Sequence, residues 1–235
     1  MMKPNFRNAV LMTSALILPL GATAAPFTNG DFETPGPAAG QIPIGPGTGN
    51  PAPTGWVVGG PVGDAFELFY QPSSQFGVIG IAGPSSVGFG GNGSTGGTLS
   101  QTFDTIVGQS YTVNYFVTSQ QGRSSGGPLQ SALIQALNGA TVLGAVVDTI
   151  PDLAVSEVFH WNAGPALTFI ATGSSSTLRF TDTTTTGTGC CNWALDGVTV
   201  NAPSVAVPEP ETYAMLLAGL GLLGFAARRR KQKAA

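Results

Sequence analysis

His160 is the single histidine among the 235 residues, and it stands in an apolar alternation, Val158-Phe159-His160-Trp161. Nucleophilic catalysis through a Ser-His-Asp or Cys-His pair would have to pass through that one ring. A zinc centre built on several histidines is excluded by the same count. Glu33, Glu67 and Glu157 offer carboxylates for glycoside hydrolysis, but no motif selects a pair. Cys190 and Cys191 are the only cysteines. Neighbouring cysteines can pair with each other only through a strained ring, so a vicinal disulfide, an intermolecular bond and two free thiols all stay open. The sequence predicts a protein that is not an enzyme, with a polysaccharide hydrolase as the weakest reading.

Binding chemistry has more to work with. Trp56, Trp161, Trp193, Tyr70 and Tyr115 are rings able to stack on a pyranose face. Trp56 falls in a loop-like stretch and Trp193 near a turn, whereas rings inside strands are more often core. These two are the candidate stacking rings. Asn192 and Arg123, the latter in the loop-like Gln120-Gln121-Gly122-Arg123, are candidate partners for sugar hydroxyls.

The elements that must carry these residues are strands. From Ala65 onward apolar residues alternate with polar ones, punctuated by Gly, Ser and Pro. Ten strands are predicted, over residues 65–70, 76–82, 98–103, 110–118, 129–137, 140–147, 156–161, 166–172, 177–182 and 193–200. Tyr111, Val113, Tyr115 and Val117 share one face of the fourth, the mark of a half-buried antiparallel strand. Asn138-Gly139 reads as a two-residue hairpin turn. So many short strands predict an all-β, antiparallel two-sheet sandwich, most plausibly a jelly roll. Residues 35–63, rich in Pro and Gly, read as a long surface loop presenting Trp56.

Charge narrows the partners. Between residues 25 and 207 there are ten acidic residues and only two basic ones, Arg123 and Arg179. Such a body repels phosphate backbones, which excludes nucleic acid, and attracts cations.

Both ends read as addresses. Lys3 and Arg7 precede the apolar run Ala9 to Leu20, and Ala22-Thr23-Ala24 supplies the small residues of a signal-peptide cleavage site. Residues 1–24 are the predicted signal peptide and 25–200 the exported domain, followed by a linker at 201–207. Tyr213 to Ala227 is an apolar stretch of fifteen residues, about 22 Å long as a helix and therefore a short membrane span. Arg228, Arg229, Arg230 and Lys231 head the basic tail behind it, residues 228–235, which by the positive-inside rule stays in the cytoplasm. Ahead of the span, Pro208-Glu209-Pro210 holds the backbone extended, open to a peptidase.

Residues 208–235 resemble the PEP-CTERM sorting tails, through Val207-Pro208-Glu209-Pro210, the Ala218 to Gly224 segment and the arginine cluster. The resemblance implies a substrate of an exosortase, held in the inner membrane in transit and cut near Pro208, Glu209 and Pro210. It further implies a cell-surface or extracellular destination and an association with exopolysaccharide.

The domain edges carry a second resemblance. Asn29 to Pro35, Gly55-Trp56 and Ala194 to Val200 look like the carbohydrate-binding, galactose-binding-like jelly rolls, DUF642-like domains among them. That likeness implies a structural calcium held by Glu33 and Asp196, with Asn29 and Asp31 as auxiliaries; ordinary turn-forming polar residues are the other reading. Gly197 departs from the pattern, which more often has Asn or Asp there. Together these readings predict a surface-sorted sandwich that binds or organises exopolysaccharide, or else a matrix protein without a specific ligand.

Overall fold

The computed structural model describes residues 26–36, 42–45, 48–60, 68–72, 80–91, 95–119, 130–150, 160–185, 193–202, 215 and 217–223. The strands are β1 (Ile42–Pro43), β2 (Val57–Gly59), β3 (Leu68–Pro72), β4 (Ser85–Phe89), β5 (Thr98–Asp104) and β6 (Ser110–Ser119). They continue as β7 (Gln130–Asn138), β8 (Thr141–Ile150), β9 (Asn162–Ala163), β10 (Leu167–Ile170), β11 (Ser175–Asp182) and β12 (Trp193–Asn201). All pairings are antiparallel, in two sheets. One runs β1-β3-β4-β12-β6-β10, with β9 also on β6, and the other β2-β5-β11-β7-β8. From β4 to β7 the chain changes sheet at every step, as in a jelly roll.

Alternation explains why these segments are strands. In β6, Tyr111, Val113, Tyr115 and Val117 point into the sandwich, and in β11 Ser176, Leu178, Phe180 and Asp182 do so. The sheets meet through rings: Tyr115 packs edge-on against Phe180 at 5.4 Å, and Phe103 against Tyr111 at 6.4 Å. β12 differs, because Trp193, Ala194, Leu195 and Asp196 are all buried. Both faces of that strand are covered, the position of a central strand.

Several sequence expectations need correction. Residues 35–63 are not one loop, since β1 and β2 form within them. Residues 80–82 were expected to end a strand, but they belong to a bent loop before β4, which the alternation did not reveal because Ser85–Phe89 is buried at every position. The hairpin turn between β7 and β8 is Gly139-Ala140, closed by the Asn138 and Thr141 pair. Gly139 there takes φ 57°, a left-handed conformation that glycine adopts without steric cost.

Gly197 takes φ 61° at an irregularity in the β12 and β6 pairing, between Asp196 and Thr199. Glycine, asparagine and aspartate are the residues that tolerate this conformation.

Candidate functional site

The N-terminal segment is stitched across the domain by main-chain bonds. Val198 N donates to Gly30 O at 2.9 Å. Buried Gln101 reads Thr28 twice, accepting from its N–H and donating to its C=O, each at 2.9 Å. A Cβ on Gly30 would lie 1.9 Å from Val198 O, so only glycine allows this approach. The stitch delivers Glu33 to the loop that precedes β4.

There Glu33 meets Asp196. Glu33 Oε1 accepts from Ser85 N at 2.6 Å and Oε2 from Ser85 Oγ at 3.2 Å. Asp196 Oδ2 accepts from Ile81 N at 2.7 Å and from Ala82 N at 3.0 Å, while Oδ1 accepts from Gly197 N at 2.6 Å. Burial pushes the Asp196 carboxyl up to about 6, and the charge of Glu33 adds to the rise; the three N–H bonds oppose it.

The loop is shaped around oxygen. A Cβ on Gly80 would meet Gly83 O at 2.1 Å, Ser85 O at 2.8 Å and Asp196 Oδ2 at 3.1 Å. A Cβ on Gly83 would strike Glu33 Oε1 at 2.3 Å. Asp196 Oδ2 and the carbonyls of Gly83 and Ser85 crowd Gly80, and Glu33 lies against Gly83; these are hard oxygens of the kind calcium takes, and all four carboxylate oxygens already accept hydrogen bonds. Among the described residues no group of three or more His, Cys, Asp or Glu side chains forms. A cation here would depend on Glu33, Asp196 and main-chain oxygen.

The two auxiliaries fall elsewhere. Asn29 spends its amide on the chain, donating to Thr34 O at 2.7 Å and Thr54 O at 2.9 Å and accepting from Thr34 N at 2.9 Å. It is a staple between segments. Asp31 is exposed and lines a shallow groove of about 410 Å³ with Phe27 and Val198 to Asn201.

The two candidate stacking rings are core residues. Trp56 is 5% exposed, packs on Phe27, Phe32 and Phe180, and donates its indole N–H to Asn29 O at 2.8 Å. Trp193 is fully buried, stacks on Phe89 at 4.0 Å and donates to Asp182 Oδ1 at 3.2 Å. Neither offers a face to a sugar. Arg123 and Asn192 lie outside the described residues, as do Pro208, Glu209, Pro210 and the cluster Arg228, Arg229, Arg230 and Lys231.

Sequence reasoning missed two features. The outer face of the five-stranded sheet is mixed: Arg179 of β11 stands in register between Ser100 of β5 and Gln135 of β7, flanked along β11 by Thr177 and Thr181, with exposed Val57 beside Ser100 and exposed Val147 beside Leu133. Period-two alternation held that signal, since Leu178 and Phe180 mark the opposite face as core. Between the sheets, the row Asp182, Ala132 and Asp148 crosses β11, β7 and β8. Burial raises both carboxyls. Tyr115 approaches Asp148 closely enough to feel its charge, yet Tyr115 OH, Asp148 Oδ2, Asp182 Oδ2 and both amide atoms of Gln130 reach no hydrogen-bond geometry. Burial also raises the Tyr115 hydroxyl above the ordinary phenol range.

Comparison with known proteins bears on the tail and the fold separately. Residues 206–231 match the PEP-CTERM protein-sorting motif. The chain thus carries a tail of the exosortase-processed class, the mark of an exported protein anchored in a membrane before processing and surface-associated afterwards. The sandwich is similar to a Stig cyclase from Fischerella sp. TAU, at a TM-score of 0.55 and 20% identity over 77% of this chain and 97% of that one. The apo form of a cyclase from Fischerella sp. gives the same TM-score, identity and coverage. TmCBM61 in complex with beta-1,4-galactotriose follows at 0.48 and 14%, over 75% of this chain and 97% of that one. At such identities the likeness to the cyclases concerns the fold alone. No curated protein matches the chain by sequence.

Proposed function

We propose that the chain is exported through its N-terminal signal, held in the inner membrane by residues 213–227, and cut near Pro208-Glu209-Pro210 by an exosortase. The observation that carries this reading is the sorting motif at 206–231. The described part of the tail agrees: residues 217–223 are helical, and Leu217, Leu220, Leu222 and Leu223 are each more than half exposed. Such a stripe is stable only when lipid or protein covers it. Among the described residues no helix is long and apolar enough to cross a membrane, and those residues include only part of the 213–227 stretch.

The sandwich is read as a non-catalytic module that binds or organises extracellular polysaccharide. With both tryptophans withdrawn into the core, the binding surface is the outer face of the five-stranded sheet. Arg179, Gln135 and Ser100 would supply its hydrogen bonds to sugar hydroxyls. Calcium held by Glu33 and Asp196 would serve structure, fastening the N-terminal segment and the loop before β4 to β12. Affinity electrophoresis through gels containing the producing cell's exopolysaccharide tests the module. Retardation that Arg179→Ala and Gln135→Ala abolish, with unchanged melting, supports it; equal mobility with and without polymer contradicts it. A matrix protein without a specific ligand is the second reading, favoured by the burial of Trp56 and Trp193.

A further inference from the structure

The chain leaves the sandwich at one end, and the turns at that end are bonded to one another. Asn201, the last residue of β12, is in register with Thr112, which also pairs with Thr168. One row further out, Ser110 pairs with Ile170. The turn over residues 105–109 is tied to the next segment by Thr105 N donating to Ser174 O and Gly108 N donating to Ala171 O, both at 2.8 Å. The turn between β7 and β8 joins them through Asn138, whose Nδ2 donates to Thr172 Oγ1 at 2.9 Å.

This end is apolar. Ile106 is 56% exposed, Val107 64%, Val142 50% and Ile170 59%. Residues 105–109, 138–142 and 170–174 contain no charged side chain, while exposed Asp104 adjoins the first turn and exposed Asp31 lines the groove beside Asn201. A single exposed aliphatic residue needs no explanation, but Ile106 and Val107 on a turn, Val142 at the start of β8 and Ile170 at the end of β10 gather four at one end of the sandwich.

What covers the patch follows from where the chain goes next. Tyr213, the start of the apolar stretch, is twelve residues beyond Asn201. Fully extended, that tether spans at most about 40 Å. The aliphatic end is therefore the end from which the tether to the bilayer leaves. We propose that Ile106, Val107, Val142 and Ile170 form a membrane-docking tip that rests in the bilayer interface while the tail is inserted. The proposal rests on the reading of residues 213–227 as a membrane span. Partition of four side chains would hold a free domain only weakly, but a short tether makes the contact intramolecular and raises its effective concentration. Docking also brings Pro208-Glu209-Pro210 down to the membrane face, where a membrane peptidase works.

The test uses the full chain in vesicles of phosphatidylcholine and phosphatidylglycerol, with Cys190 and Cys191 replaced by serine. A spin label is placed at Val107→Cys or, at the far end of the sandwich beside β7, at Thr185→Cys. Collisions with oxygen, which enters lipid, are compared with collisions with a water-soluble nickel chelate. The tip predicts a several-fold higher oxygen-to-nickel ratio at position 107 than at 185, lost when Ile106, Val142 and Ile170 are all changed to serine. Equal ratios in a chain that resists alkaline carbonate extraction overturn the tip and leave the anchor standing. A chain that carbonate extracts overturns the anchor, and the tip with it.

Discussion

Glu33 and Asp196 stand at opposite ends of the folded domain's sequence, yet both carboxylates close on one loop. Glu33 takes the N–H of Ser85, and Asp196 takes those of Ile81 and Ala82. Each holds an end of the turn before β4, and burial, with a smaller part from the charge of Glu33, raises the carboxyl of Asp196. A cation between the two carboxylates would favour their charged forms against that burial.

Calcium should therefore stabilise the domain. At a hundredfold excess over its dissociation constant, a ligand bound only by the folded state adds about 2.7 kcal/mol, or roughly 5–10 °C in melting temperature for a domain of this size. Scanning calorimetry with calcium and with chelator checks this. Glu33→Gln and Asp196→Asn should each remove most of the increment, and an unchanged midpoint in the native chain removes the calcium reading.

The interior acids set a pH dependence. Unfolded, Asp148 and Asp182 titrate near the ordinary aspartate value of about 3.9. Folded, both are raised by burial. Between those values the folded chain keeps protons that the unfolded chain releases, so the stabilisation is complete below about pH 4 and is lost as pH rises. Urea denaturation from pH 4 to 7 should show stability falling with pH through these residues. Asp148→Asn and Asp182→Asn should each flatten their share of the slope, and a slope identical in both variants contradicts this.

Trp193 belongs to the core, and its loss should cost what a core tryptophan costs. Trp193→Ala removes the ring stacked on Phe89 and the bond to Asp182 Oδ1. About 3–5 kcal/mol of stability should go with it. A loss below about 1 kcal/mol in chemical denaturation would mean that the ring is not packed there.

Gly164 guards a close approach. A Cβ on it would fall 2.1 Å from the Tyr115 ring and 2.8 Å from Asp148 Oδ2. Gly164→Ala should therefore cost about 1–3 kcal/mol through overpacking. Thermal melting that leaves this variant unshifted would contradict the placement of Tyr115.

Most of the sheet structure was legible because alternation writes it directly: β5, β6, β7, β11 and β12 are one-sided or central strands with long runs of buried positions. β4 was not legible, since Ser85-Ser86-Val87-Gly88-Phe89 is buried throughout and alternates nothing. The carboxylate pair could be nominated from the domain edges because the first segment and the last strand are neighbours in such sandwiches. The aromatic rings misled for a physical reason. A tryptophan in a Pro- and Gly-rich stretch looks exposed, but Trp56 N–H needs an acceptor, and Asn29 O supplies one only inside the fold. Gly197 takes a positive φ, a requirement that strand alternation does not reveal.

The account turns on where the mature chain begins and ends. Mass spectrometry of both termini, on protein from cells with and without the exosortase, measures this directly. The prediction is an N-terminus just after Ala24, and a C-terminus near Pro208-Glu209-Pro210 that appears only when the peptidase is present. An intact chain from Met1 to Ala235 in both cell types would contradict it.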